Sequence, residues 1–151
     1  MGVFDSFHIN ASGLTAERFR MDTIAENVAN ANTTRTKDGT PYRRKVVTFE
    51  EKILPEPTFS SLLASNQNKY KANNRAGVKI GGVYEDHVTD MNMVYDPAHP
   101  DADENGYVTY PNVNIITEMT NLIDASRAYE ANATAFGVSK AIAQKGLDIG
   151  Q

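Results

Sequence analysis

The densest set of side chains able to do chemistry lies in one short stretch, where Asp96, His99, Asp101, Asp103 and Glu104 crowd together. Clustered oxygen ligands suit hard cations, and Asp101-x-Asp103-x-Asn105-Gly106 reproduces the opening of a calcium loop, with glycine where the chain must turn sharply. The remainder of that loop is missing. Its twelfth position falls on Asn112 in place of a bidentate glutamate, Pro111 stands beside it, and Pro97 and Pro100 forbid the helix that should lead in. These residues leave two readings open: a calcium- or metal-responsive binding module using the 96–104 acidic loop, or a solvated turn that makes subunit contacts. The broken pattern favours the turn.

Other routes to catalysis find no foothold. His8, His87 and His99 are far apart with no paired spacing, so a metal hydrolase has no ligand set to start from. Serines occur without a G-x-S-x-G elbow, and no glycine-rich loop follows a strand to cradle phosphate; Gly77 and Gly81-Gly82 fit tight turns instead. With no cysteine, disulfides, thiolate metal sites and thiol nucleophiles are excluded. No catalytic residue, metal site or cofactor is assigned. A net charge of −4 offers no basic face to a phosphate backbone, so nucleic acid is not an expected partner. No stretch reaches the ~18–20 apolar residues of a membrane span, and no membrane insertion is expected. Residues Met1 to Ser6 have neither a basic region nor an apolar run, so no cleaved secretory signal is expected; they do fit the short myristoylation pattern, which chance supplies often.

The elements that would carry these residues are more informative than the residues themselves. Phe4, Phe7, Ala11, Leu14, Arg18, Met21, Ala25 and Val28 follow alternating steps of three and four. Ile115, Met119, Leu122, Ser126, Tyr129, Ala133, Phe136, Lys140, Ala143 and Leu147 keep the same rhythm near the other end. Such spacing places each set on one seam of a helix, the kind that buries itself against another helix. The expected assembly interface is therefore Phe4, Phe7, Leu14, Met21, Val28, Ile115, Met119, Leu122, Tyr129 and Phe136, with Tyr129 and Phe136 as its anchors. Arg18 and Lys140 interrupt the seams; either they set register and meet charged partners, or their aliphatic stems cover apolar surface while the charges reach water.

The front helix is expected over Val3 to Ala31, roughly 45 Å at 1.5 Å per residue, with Asn30 or Asn32 as a left-handed cap. A strand is expected in the β-branched and aromatic run from Tyr42 to Phe49, a second around Val78 to Tyr84, and a third at Met91 to Tyr95. Pro55 and Pro57 open a polar stretch, 55–76, expected to be a mobile loop. The back helix is expected to start at an Asn112 or Asn114 cap, with Glu118 near its positive end, and to run to about Leu147. The fold class is mainly α: long N- and C-terminal helices (1–34 and 112–151) pairing as a coiled coil, with a small β-rich, loop-rich middle module (35–111). The periodicity alone also fits an ordinary bundle within one monomer. Two such long helices, however, leave flanks that a thin middle module cannot cover, and a leftover apolar flank implies other chains.

Several blocks taken together resemble the flagellar basal-body rod protein family. They are Ser12-Gly13-Leu14-Thr15-Ala16-Glu17-Arg18 and Asn27-Val28-Ala29-Asn30-Ala31-Asn32-Thr33 in front, then the run from Val94 to Val108 and Pro111-Asn112-Val113-Asn114, and finally Glu118-Met119 with Ala125-Ser126-Arg127-Ala128-Tyr129-Glu130-Ala131-Asn132. The front blocks are common to rod and hook proteins. The Tyr95 to Asn114 block, with Tyr95, Asp96, Pro97, His99, Pro100, Asp101, Asp103, Gly106 and Tyr107 as its motif loop, points to the proximal rod. The resemblance implies a structural, non-enzymatic role: many copies assembling helically with other rod proteins into the periplasmic shaft that carries torque from motor to hook. It also implies export through the flagellar type III apparatus without a cleaved signal, and terminal helices that order fully only when partners supply the burial.

Overall fold

The computed structural model describes residues 3–53 and 75–148, so most of the stretch expected to be a mobile loop, 55–76, lies outside the described residues. Helix α1 spans Val3–Ala29 and helix α2 spans Ile115–Asp148, with strands β1 (Lys45–Ile53), β2 (Arg75–Glu85), β3 (Asn92–Tyr95) and β4 (Tyr107–Tyr110) between them. The fold is mainly helical, with a small β-rich middle made of two two-stranded sheets, β1 with β2 and β3 with β4. The chain forms two compact units. The first gathers Met1–Ala16, Phe49–Ile80 and Tyr129–Gln151, and the second Glu17–Thr48 and Gly81–Ala128.

The helix ends follow from their side chains. Asn114 caps α2, its Oδ1 accepting from the backbone N–H groups of Ile116 at 3.0 Å and Thr117 at 3.3 Å. Such a cap satisfies donors that the first turn otherwise leaves unpaired. The end of α1 departs from expectation. Among the described residues no side-chain-bearing residue has a positive φ, so neither Asn30 nor Asn32 is a left-handed cap. Instead the Asn30 side chain turns back and donates to the Glu26 carbonyl at 2.9 Å, while Thr33 N–H donates to the Asn30 carbonyl at 3.0 Å. A tight right-handed turn closes the helix without help from the left-handed region.

A fourth strand was not expected. Tyr107–Tyr110 pairs antiparallel with β3, Asn92 opposite Tyr110, Met93 opposite Thr109, Val94 opposite Val108 and Tyr95 opposite Tyr107. The segment expected to be a turn is the tip of this hairpin, and Val108 in β4 is fully buried. Strand β4 hides in the sequence because four residues between a carboxylate-rich run and Pro111 give too short a pattern to read. β1 and β2 extend to Ile53 and begin at Arg75, longer than the β-branched runs that announced them.

The seams keep their rhythm but turn about their axes. On α2 the buried positions are Glu118 and Ala125, and the half-buried ones are Asn121, Leu122, Ser126, Ala128, Tyr129, Asn132, Phe136, Ser139 and Ala143. Leu122, Tyr129 and Phe136 thus belong to the expected set, whereas Ile115 and Met119 stand 44% and 55% exposed. On α1 the buried positions are Ala16, Thr23, Ile24 and Asn27, with Phe7, Leu14, Met21 and Val28 half-buried; the Phe4 side chain lies outside the described residues. In the first unit Phe7 meets Phe136 edge-on, ring centroids 5.0 Å apart at 76°. Gly13 lies against Asn132, where an added Cβ would come within 2.9 Å of its Oδ1. Those two contacts make the helices antiparallel there. The glycine allows a close approach beside Asn132, so the contact joins a small and a polar residue to the expected Phe7 and Phe136.

Candidate functional site

The second unit is built around a polar knot. Asn27, in the last turns of α1, is 0% exposed, and Glu118, in the first turn of α2, is 1% exposed. The Asn27 carboxamide donates through Nδ2 to Glu118 Oε2 at 3.0 Å and to the Lys45 carbonyl at 2.9 Å. Its Oδ1 accepts from Lys45 N–H and from the Tyr42 hydroxyl, both at 2.9 Å. One side chain thereby joins α1, α2, the entry to β1 and the loop before it.

Glu118 is an ionisable group taken almost wholly out of water, a cost of several kcal/mol unless it is paired and hydrogen-bonded. Arg44 meets that need, its Nε and Nη2 both 2.8 Å from Glu118 Oε1. Arg44 also reaches Asp86 at 3.6 Å, and its backbone N–H donates to Asn112 Oδ1 at 2.9 Å. Asn112, 5% exposed, donates in turn to the carbonyls of Asp86 at 2.9 Å and Thr89 at 3.1 Å. Burial, with the charges of Glu26, Glu118 and Glu85 adding to it, pushes the Tyr42 phenol up to about 12. Asp86 moves the other way: the Thr89 backbone N–H and hydroxyl, then Val88 N–H and Arg44, hold its carboxyl below the ordinary carboxylate value. Every member is tied to another part of the fold. The knot positions helices and strands; it presents no nucleophile backed by a free base.

The motif loop is equally committed. Asp96 N–H donates to the Gly106 carbonyl at 2.9 Å and Asp103 N–H to the Tyr107 carbonyl at 2.9 Å, closing the hairpin tip. Asp96 Oδ1 accepts from Ala98 N–H, Asp103 Oδ1 accepts from Asn105 and Tyr107 N–H, and Asp101 Oδ2 accepts from the Thr34 hydroxyl. His99 Nδ1 accepts from Asp101 N–H at 3.1 Å. Of the carboxylates that suggested a cation, Asp96 and Asp103 thus accept from the loop's own N–H groups and Asp101 from Thr34, and among the described residues no three potential ligands converge. Tyr95 and Tyr107 stack edge-on across the hairpin at 5.3 Å.

What remains available is apolar. In the second unit Ile115, Ile116, Met119 and Ile123 protrude from α2, Ile116 being 77% exposed. In the first unit Val138, Ile142 and Leu147 do the same. Among the described residues no helix is long and apolar enough to cross a membrane. Asn27, Arg44 and Asn112 escaped the sequence reading as site residues because a buried polar network has no periodic hydropathy. Asn27, Asn112 and Glu118 nevertheless fell inside the blocks that carried the family resemblance.

Comparison with known proteins places both ends of the chain. Residues 7–37 match the family described as flagella basal body rod protein, and residues 104–149 match that described as flagellar basal body rod FlgEFG protein C-terminal. The flagellar basal-body rod protein FlgC of Bacillus subtilis is 44% identical, with 100% of both chains covered. That of Borreliella burgdorferi is 40% identical over 99% of this chain and 98% of its own. That of Salmonella typhimurium is 35% identical over 100% of each.

Proposed function

Since the chain belongs to the flagellar basal-body rod protein family, we propose that it is a structural subunit of the proximal rod of the bacterial flagellar basal body. The observation that carries this is likeness along the whole length, at 44% and 40% identity, to relatives named as FlgC rod proteins. The family is structural, and no enzymatic activity is assigned. The chain assembles with other rod proteins and with further copies of itself into a helical shaft across the periplasmic space. It is exported to that space through the flagellar export apparatus without a cleaved signal and carries torque from motor to hook.

An asymmetric contact that does not close on itself generates a filament, and exposed apolar residues on long helices are the surface such a contact needs. The expected interface divides accordingly. Leu122, Tyr129 and Phe136 contribute to burial within the chain, while Ile115 and Met119, joined by Ile116 and Ile123, offer surface to neighbours. The motif loop at the hairpin tip contributes Tyr95 and Tyr107, both exposed, as a further contact.

The test is complementation. Expressed in a bacterium lacking its own FlgC relative, the chain should restore motility and appear in purified basal bodies. Ile116→Asp and Ile123→Asp should leave the subunit's circular dichroism and melting unchanged yet prevent its incorporation, because a carboxylate placed in an apolar contact costs several kcal/mol. Full motility with both variants would remove this face from the interface. Failure of the unaltered chain to enter any basal body would overturn the reading as a whole. Leu14→Asp and Phe136→Asp should also block incorporation, but through loss of the subunit's own helix packing, visible as a lowered melt.

A further inference from the structure

Asn105-Gly106 is the sole Asn-Gly pair in the 151-residue sequence, and it occupies the closing corner of the β3–β4 hairpin. Asparagine followed by glycine is the pair most open to cyclisation, because no side chain hinders the following backbone nitrogen from reaching the carboxamide. Gly106 cannot readily be exchanged: its φ is +81°, and a Cβ there would lie 3.0 Å from the Tyr95 ring and 3.2 Å from Pro97. Asn105 is exposed, and among the described residues its carboxamide enters no hydrogen bond of the hairpin. The backbone around it is held instead. Gly106 N–H donates to the Asp103 carbonyl at 3.0 Å, and Asp103 Oδ1 accepts from Asn105 N–H at 2.9 Å and Tyr107 N–H at 2.8 Å.

We infer that Asn105 is a site of spontaneous deamidation, held back by the Asp103-anchored corner while the hairpin is closed and released when it opens. In the reaction Gly106 N gives up its proton and attacks Asn105 Cγ. A C–N bond forms, the Cγ–Nδ2 bond breaks, the proton goes to the departing nitrogen, and ammonia leaves a five-membered succinimide. Water then opens either ring carbonyl to give aspartate or isoaspartate, with no change of oxidation state. While Gly106 N–H is bonded to the Asp103 carbonyl, its proton is retained and its nitrogen is turned away from attack. Either product adds negative charge beside Asp103 and Glu104. Isoaspartate also lengthens the backbone within the corner, so the closing bonds cannot re-form in register.

The test uses the full chain in mildly alkaline buffer, folded in one sample and in concentrated urea in another. Isoaspartate at position 105 is measured by peptide mapping and by enzymatic methylation. The urea sample should gain isoaspartate about tenfold faster, the rate factor equivalent to ~1.36 kcal/mol. Asp103→Ala should speed the folded reaction toward that limit, and Asn105→Gln should abolish the signal. Equal rates for the unaltered chain folded and in urea would overturn the inference, as would no product at 105 in urea. A natively folded Asp103→Ala variant reacting at the unaltered rate would also overturn it. If that variant does not fold, the comparison with and without urea still decides.

Discussion

Removing the Glu118 carboxylate takes an acceptor from two donors at once, the Arg44 guanidinium and Asn27 Nδ2, which lie 2.8 and 3.0 Å from its oxygens, and leaves them Asp86 at 3.6 Å and the Lys45 carbonyl at 2.9 Å. Glu118→Ala should therefore destabilise the second unit by about 1–3 kcal/mol, the cost of leaving buried donors short of an acceptor. Urea melts check this, and Glu118→Gln, which keeps an acceptor, should cost less. Tyr42 supplies a pH test. Its phenol stays protonated in the fold up to about 12, whereas an unfolded chain ionises near ~10. The stability it contributes is whole below pH ~10 and is lost as pH rises through about 12. Tyr42→Phe should flatten that alkaline limb, at a neutral-pH cost of about 0.5–1.5 kcal/mol for one lost hydrogen bond. Asp86 has the opposite sign: its contribution is present above the ordinary carboxylate range and drains as pH falls through its lowered value. Acid melts of Asp86→Asn should show a smaller loss than those of the unaltered protein.

At the scale of elements, Asn114→Ala should lower stability by about 1 kcal/mol through loss of the α2 cap, measurable by thermal melting. Gly106→Ala should loosen the β3–β4 hairpin by about 1–2 kcal/mol, because alanine is strained at φ +81° and meets the Tyr95 ring. Deuterium exchange at Val94 and Val108 would report it. The Asn114 cap, the extent of both helices and the turn between Asp96 and Gly106 were legible in the sequence. Each depends on one residue or one long pattern acting locally. The contacts between the helices were legible only in part: Phe7 and Phe136 belong to the apolar seams, whereas Gly13 against Asn132 in the first unit and Asn27 with Glu118 in the second follow no hydropathy pattern. Strand β4 was lost for a related reason, since what defines it is the register with β3 and not its own four residues. The polar knot could be glimpsed only as fragments, because no spacing rule links Asn27 to Arg44, Asn112 and Glu118.

Across the whole molecule burial is uneven, and that unevenness predicts where order is weakest. The buried residues of α2 are Glu118 and Ala125, both in the second unit, and beyond them the helix has half-buried and exposed positions only. Backbone amides from about Gly137 to Asp148 should therefore exchange within the fraying regime, while those from Glu118 to Ala128 should approach the global rate. Incorporation into basal bodies should protect the former group. Uniform protection along α2 in the isolated subunit would contradict this. The edge-on meeting of Phe7 and Phe136 sets a timetable as well as a contact. Some 129 residues separate the two rings (136 − 7), so a ribosome working at ~5–20 residues per second needs roughly 6 to 26 s between making the first and making the second. Throughout that interval the leading helix has no mate from its own chain, and whatever escorts the nascent polypeptide finds it still unclasped.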